Sequence, residues 1–252
     1  MLYKKLDQSY QCLLCPHFCI LEPNQTGLCS VRKANNNGIV LEKYGQLTNI
    51  VVEPIEKKPF FHFLSKSTTL SIGSNGCNLR CAFCENFEIS QNNHTKISKV
   101  FNIKDIVNIA LEKKCQSVCM TYNEPIICFE FLIDLAQECH YNNLKFIIKT
   151  NAYINEDPWK HICNNTDAIN IDWKGYALQY REVCKADSYV IKERIQEAYD
   201  NGIHIEISIP LYHDFLNNPR IFAQCGSFLS AIDENIPCHL LKVFPANMMF
   251  EF

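Results

Sequence analysis

The 252-residue chain lacks the features that mark several large protein classes. No apolar run reaches 18 residues, so no transmembrane helix is expected. Basic residues run no longer than pairs such as Lys57-Lys58, and the net charge is −3. That balance excludes the basic stripe of a nucleic-acid binder or an anionic-membrane binder. The segment Met1-Leu-Tyr-Lys-Lys-Leu-Asp-Gln-Ser9 has no apolar h-region, so no export signal is read there. Internal repeats and low-complexity segments are missing too, leaving one large α/β domain or one domain with a small appendage. A chain this long buries roughly 70% of the surface its unfolded form exposes, and folds without disulfides.

Cysteine, by contrast, is abundant, with 15 residues. Without an export signal, so many thiols predict a reducing cytoplasm, where they serve metal ligation or plain burial. Cys115, Cys119, Cys128, Cys139, Cys163, Cys225 and Cys238 stand scattered in apolar surroundings and are expected in the core. Cys184, in the polar segment Tyr180-Arg-Glu-Val-Cys184, is a candidate reactive thiol.

The other cysteines form two sets. Ser71-Ile-Gly-Ser-Asn-Gly-Cys77-Asn-Leu-Arg-Cys81-Ala-Phe-Cys84 reads as a buried strand, a glycine turn and three thiols spaced C-x3-C-x2-C. Three thiolates on one loop suit a [4Fe–4S] cluster, whose four irons usually take four cysteines, and they leave one iron open to a small molecule. Nearer the start, Cys12, Cys15, Cys19 and Cys29 are spaced to converge on one metal. Spacing does not separate Zn2+ from a second iron–sulfur cluster there.

Residues 1–65 read as a small Cys-rich, β-rich lobe, with a hairpin expected between Ile39–Leu41 and Leu47–Val52 around Gly45. From residue 66 onward strands and helices alternate. Strands are expected at Thr69–Ser74, Ser117–Thr121, Leu144–Lys149, Ala168–Trp173, Ile203–Ile209 and His239–Phe244, with amphipathic helices between them. Apolar strands alternating with helices make a parallel sheet, and six units predict a partial (β/α)6 TIM-like barrel over 66–252. Chemistry in α/β barrels gathers at the C-terminal strand ends. There the sequence places Glu124, then Thr150-Asn151, then Asp172 and Lys174, which face the interior if Ile171 and Trp173 face the helices. An Asp and a Lys so placed either pair or serve a ligand, because an isolated buried charge is very costly.

The cysteine loop resembles that of the radical S-adenosylmethionine (SAM) superfamily. With it go Cys12-Leu-Leu-Cys15-Pro-His-Phe-Cys19, Glu53-Pro-Ile-Glu-Lys-Lys-Pro59-Phe-Phe-His62-Phe, Thr121-Tyr-Asn-Glu124-Pro125 and Tyr180-Arg-Glu-Val-Cys184. Together these stretches resemble the AmmeMemoRadiSam-system radical SAM enzymes, relatives of pyruvate formate-lyase activating enzymes. The resemblance implies a [4Fe–4S] cluster on Cys77, Cys81 and Cys84 whose open iron takes SAM. It implies Glu124 at the SAM amino group, in place of a Gly-Gly-Glu motif whose glycines are here Tyr122 and Asn123. It also implies Asn151, Asp172 and Lys174 around SAM, with Phe83 beside the adenine. A low-potential donor such as flavodoxin or ferredoxin is implied as partner. The reaction would be reductive cleavage of SAM to a 5′-deoxyadenosyl radical that takes hydrogen from a small molecule or a partner protein. Two alternatives stand beside it: an activase of glycyl-radical enzymes, and a non-catalytic iron–sulfur or zinc module. Family members also usually continue well past the last strand, where this sequence has only a short segment.

Overall fold

The computed structural model describes residues 2–91, 99–176, 180–211, 218–244 and 246–248. Its centre is a seven-stranded sheet whose order follows the sequence. We number the strands β1 (Asn49–Pro54), β2 (Thr68–Gly73), β3 (Ser117–Met120), β4 (Lys145–Thr150), β5 (Ala168–Asp172), β6 (His204–Leu211) and β7 (Cys238–Lys242). Strands β2 to β7 are mutually parallel and curl into the expected partial barrel. Strand β1 adds an antiparallel edge, with Glu53 opposite Thr69.

Among the described residues five helices of eight residues or more cover the outer face: α1 (Ile103–Glu112), α2 (Phe129–Tyr141), α3 (Glu156–Cys163), α4 (Ser188–Asp200) and α5 (Pro219–Ile232). Their starts follow local chemistry. The Asn102 side chain accepts the Asp105 N–H at 2.9 Å, satisfying one orphan donor of α1. Pro125 opens a single 3-10 turn ahead of α2, where its missing N–H costs nothing. Ile171 and Trp173 are fully buried, and the Trp173 ring meets Phe228 of α5 edge-on at 5.2 Å. This outward parity leaves Asp172 and Lys174 facing inward.

The first fifty residues form short antiparallel ribbons. The hairpin there joins Arg32–Asn35 to Gly38–Leu41 rather than spanning Gly45. The tight Asn-Asn turn before Gly38 closes it, and Asn49–Pro54 is thereby released to pair along six positions of β2. Beyond β1 the chain exposes Lys57, Phe61 and His62 but buries Ile55, Lys58 and Phe60. Ile55 and Phe60 are fully buried against Cys119, Ile147 and Ala168 of β3, β4 and β5. Lys58 is buried as well, bonded to Glu53 at 2.6 Å with its ammonium 4.0 Å above the Tyr122 ring.

Candidate functional site

The C-terminal strand ends converge on the cysteine loop. Strand β2 runs into Ser74-Asn75-Gly76 and then Cys77. Asn123 clamps that exit: its Oδ1 accepts the Ser74 N–H at 2.9 Å, and its Nδ2 donates to the Gly76 carbonyl at 2.9 Å. The Leu79 N–H donates to Cys77 Sγ at 3.3 Å, and Asn151 Nδ2 approaches the same sulfur at 3.7 Å.

Glu124, 2% exposed, accepts the Thr150 hydroxyl at 2.5 Å and the Asn151 N–H at 2.8 Å. Burial raises its carboxyl to about 7, against the opposing pull of those donors and of Lys174. Asp172 lies between two ammonium groups, bonded to Lys149 and, at 3.0 Å, to Lys174. Burial alone would raise this carboxyl; the two cations overcome it and hold it down at about 2. The Lys174 N–H donates to the Tyr180 hydroxyl at 2.9 Å.

Whether this end fits a cluster and a polar ligand can be judged from its own atoms. Burial raises the Cys77 and Cys84 thiols, and neighbouring Cys81 raises both further, so the three lie within one another's field. Binding of a metal centre would displace those protons. Asn75, 4% exposed in the turn before Cys77, leaves both side-chain amide atoms without a partner. Buried amides normally find one, so a polar ligand has a place to bind. The residues present fit the group.

The radical SAM superfamily model matches residues 71–218. The chain belongs to the radical SAM superfamily. Uncharacterized protein MJ0808 of Methanocaldococcus jannaschii is 34% identical over 223 residues, which are 86% of this chain and 66% of that protein. The cysteine-type anaerobic sulfatase-maturating enzyme of Clostridium perfringens is 26% identical over 151 residues, 53% of this chain and 40% of the enzyme. The chain thus spans less than two thirds of these relatives' lengths. Among solved structures, Streptococcus suis SuiB bound to S-adenosylmethionine superposes with a TM-score of 0.57 at 14% identity, over 71% of this chain and 41% of that one. SuiB bound to its precursor peptide SuiA gives 0.59 at 14% identity, over 78% and 44%. These superpositions bear on the fold, a partial radical SAM barrel.

Cys77, Cys81, Cys84, Glu124, Asn151, Asp172 and Lys174 all lie at this one end. Phe83 is 6% exposed and packs into the core beneath the loop. Cys12, Cys15, Cys19 and Cys29 line a separate cavity. Two expectations need correction. Cys184 is fully buried and its thiol is hydrogen-bonded to Cys81, because a π-helical turn over Tyr180–Cys184 tucks it under the loop. Cys238 is exposed rather than in the core, because β7 is the sheet edge. His62 sits toward the opposite end of the barrel, its N–H bonded to Glu206 near the start of β6, whereas the buried Lys58 reaches up to Tyr122. Sequence reasoning missed Asn75, Asn123, Lys149 and Tyr180. Lys149 had a signal, since period-two counting from Asn151 puts it on the inner face.

Proposed function

We propose that this chain is a radical SAM enzyme in which Cys77, Cys81 and Cys84 hold the [4Fe–4S] cluster and Glu124, Asn151, Asp172 and Lys174 surround SAM. When bound, the cluster supplies the electron that splits SAM into methionine and a 5′-deoxyadenosyl radical. The protein contributes positioning and exclusion of side reactions. Glu124 accepts the substrate's ammonium, and Thr150 and the Asn151 N–H hold that carboxylate in place. Lys174, anchored by Asp172, presents a cation to the SAM carboxylate. The Leu79 and Asn151 amides direct hydrogen-bond donors at Cys77 and so favour its thiolate. Flavodoxin or ferredoxin is proposed as electron donor. A substrate carried on a partner protein is the reading to test first, in keeping with the sulfatase-maturating relative. The motif wording favours the AmmeMemoRadiSam subgroup over a glycyl-radical activase.

The observation that carries this reading is the convergence of a three-thiol loop, a buried carboxylate and a paired Asp–Lys at one barrel end. The test is anaerobic reconstitution with iron and sulfide, reduction, addition of SAM and assay for 5′-deoxyadenosine. Wild type should form it and Cys81→Ala should not; equal yields from both would defeat the proposal.

A further inference from the structure

The four N-terminal cysteines are separated by up to seventeen positions in the chain, yet the lobe folds so that all four line one cavity. None is engaged in a disulfide. Three other polar residues share the lining, His17, Arg32 and Asn78, and His17 Nε2 is already bonded to the Asn78 carbonyl at 2.7 Å. Arg32 is 1% exposed, and its guanidinium is held by Glu130 at 2.7 and 2.8 Å through the two terminal nitrogens. Its third donor, Nε, is buried with no acceptor. A buried guanidinium N–H left unmatched beside four thiols points to an anionic occupant that would accept from it. Asn78 directly follows Cys77. It accepts from the Asn151 amide at 3.0 Å, and the same amide approaches Cys77 Sγ, so one hydrogen-bonded step separates the cavity wall from the other thiol set.

The spacing of the sulfurs indicates what fits. Zinc–thiolate bonds of about 2.3 Å place the four sulfurs of a tetrahedral site about 3.8 Å apart. Among the described residues no three cysteine sulfurs lie within 4.8 Å of one another, neither in this quartet nor in Cys77, Cys81 and Cys84. A cube-shaped cluster tolerates the wider spread, because each thiolate binds a different iron. Both sets are thus wider than a four-thiolate zinc site, one with three thiols and one with four.

We propose that Cys12, Cys15, Cys19 and Cys29 hold a second, fully thiolate-ligated [4Fe–4S] cluster, with Arg32 Nε donating to one of its sulfurs. With no open iron it binds no substrate, and it serves as a one-electron centre beside the SAM site, reduced by the same low-potential donor.

The test is metal and sulfide analysis of the full chain after anaerobic reconstitution. Cys77→Ala/Cys81→Ala/Cys84→Ala should retain about four iron and four sulfide per chain and show a reduced-cluster EPR signal with dithionite. Wild type should hold about eight iron, and Cys12→Ser/Cys29→Ser should lose about half of it. About one zinc per chain and no iron in the triple variant overturns the proposal, as does an absence of metal. If the triple variant does not fold, the wild-type count decides, with about four iron overturning it. The outcome is separate from that of the 5′-deoxyadenosine assay, since the triple variant contains no SAM cluster in either case.

Discussion

Glu124 is where burial and chemistry oppose each other most directly. Its folded carboxyl sits at about 7, above the usual value of 4.5, because burial penalises the charge. For a raised carboxyl the stabilising contribution is present below the unfolded value and is lost as pH rises through about 7. Ionising Glu124 thus costs the ligand-free fold on the order of 3 kcal/mol at pH 8, a strain that an ammonium ligand would relieve. Glu124→Gln should therefore unfold at a higher temperature than wild type at pH 8 and at a similar one near pH 4, by calorimetry. The same variant should lose at least tenfold in SAM affinity by equilibrium dialysis. Undiminished affinity would remove Glu124 from the binding role. Two neighbours show strain of another kind. Tyr122 and Ala152 adopt φ of +71° and +53°, in the left-handed region. Ala152→Gly should relieve about 1–2 kcal/mol of backbone cost against up to about 1 kcal/mol of lost chain entropy. A net gain of about 0.5 kcal/mol is expected in urea titration.

Among the elements, the six parallel strands were legible because each is an apolar run bounded by turn residues, and every predicted strand falls within two residues of its place. The inward set at the strand ends followed from period-two alternation. The segment after β1 was not legible. Glu-Lys-Lys-Pro-Phe-Phe-His reads as polar and exposed, and only the far-off Glu206 makes it the barrel floor. Glu206, itself fully buried, accepts the Phe61 and His62 N–H groups at 3.0 and 2.9 Å, and His204 and His239 at 3.0 and 2.6 Å. Nothing in local sequence pairs residue 206 with residue 61. Burial alone would raise this carboxyl, and the four partners outweigh it, holding it at about 2. A depressed carboxyl stabilises above its unfolded value of about 4.5 and loses that contribution as pH falls toward about 2. Glu206→Gln should destabilise by about 2–3 kcal/mol at pH 7, and the gap to wild type should close by pH 2. A gap that persists unchanged at pH 2 would mean that the floor is held by packing alone.

At the scale of the whole molecule, the Cys-rich lobe and the barrel share one continuous core, in which Leu14, Val31 and Leu21 pack with Ile127, Leu79 and Cys81. Polar ties reinforce the seam: Arg32 to Glu130 on α2, Tyr44 to Asp134 at 2.6 Å, and Arg80 to the Leu28 carbonyl. Lobe and barrel also approach closely at Gly76, in the turn that leads into Cys77. It adopts φ +89°, and a Cβ there would overlap the carbonyl oxygen of Cys29 and press on Val31 and Ile127. The lobe's last cysteine and the barrel's first thus lie on two strands of backbone that only glycine lets meet. Gly202, after α4, provides a control: φ is +73°, but a Cβ would meet nothing within 4 Å. Gly202→Ala should cost only the left-handed backbone strain, about 1 kcal/mol. Gly76→Ala adds a steric clash against backbone that cannot rotate away and should cost about 3 kcal/mol or more in urea unfolding, with iron content after reconstitution falling in parallel. The difference between the two variants isolates the lobe–loop contact from the conformational strain. Equal losses would mean that the cysteine loop keeps its shape without the lobe pressed against it.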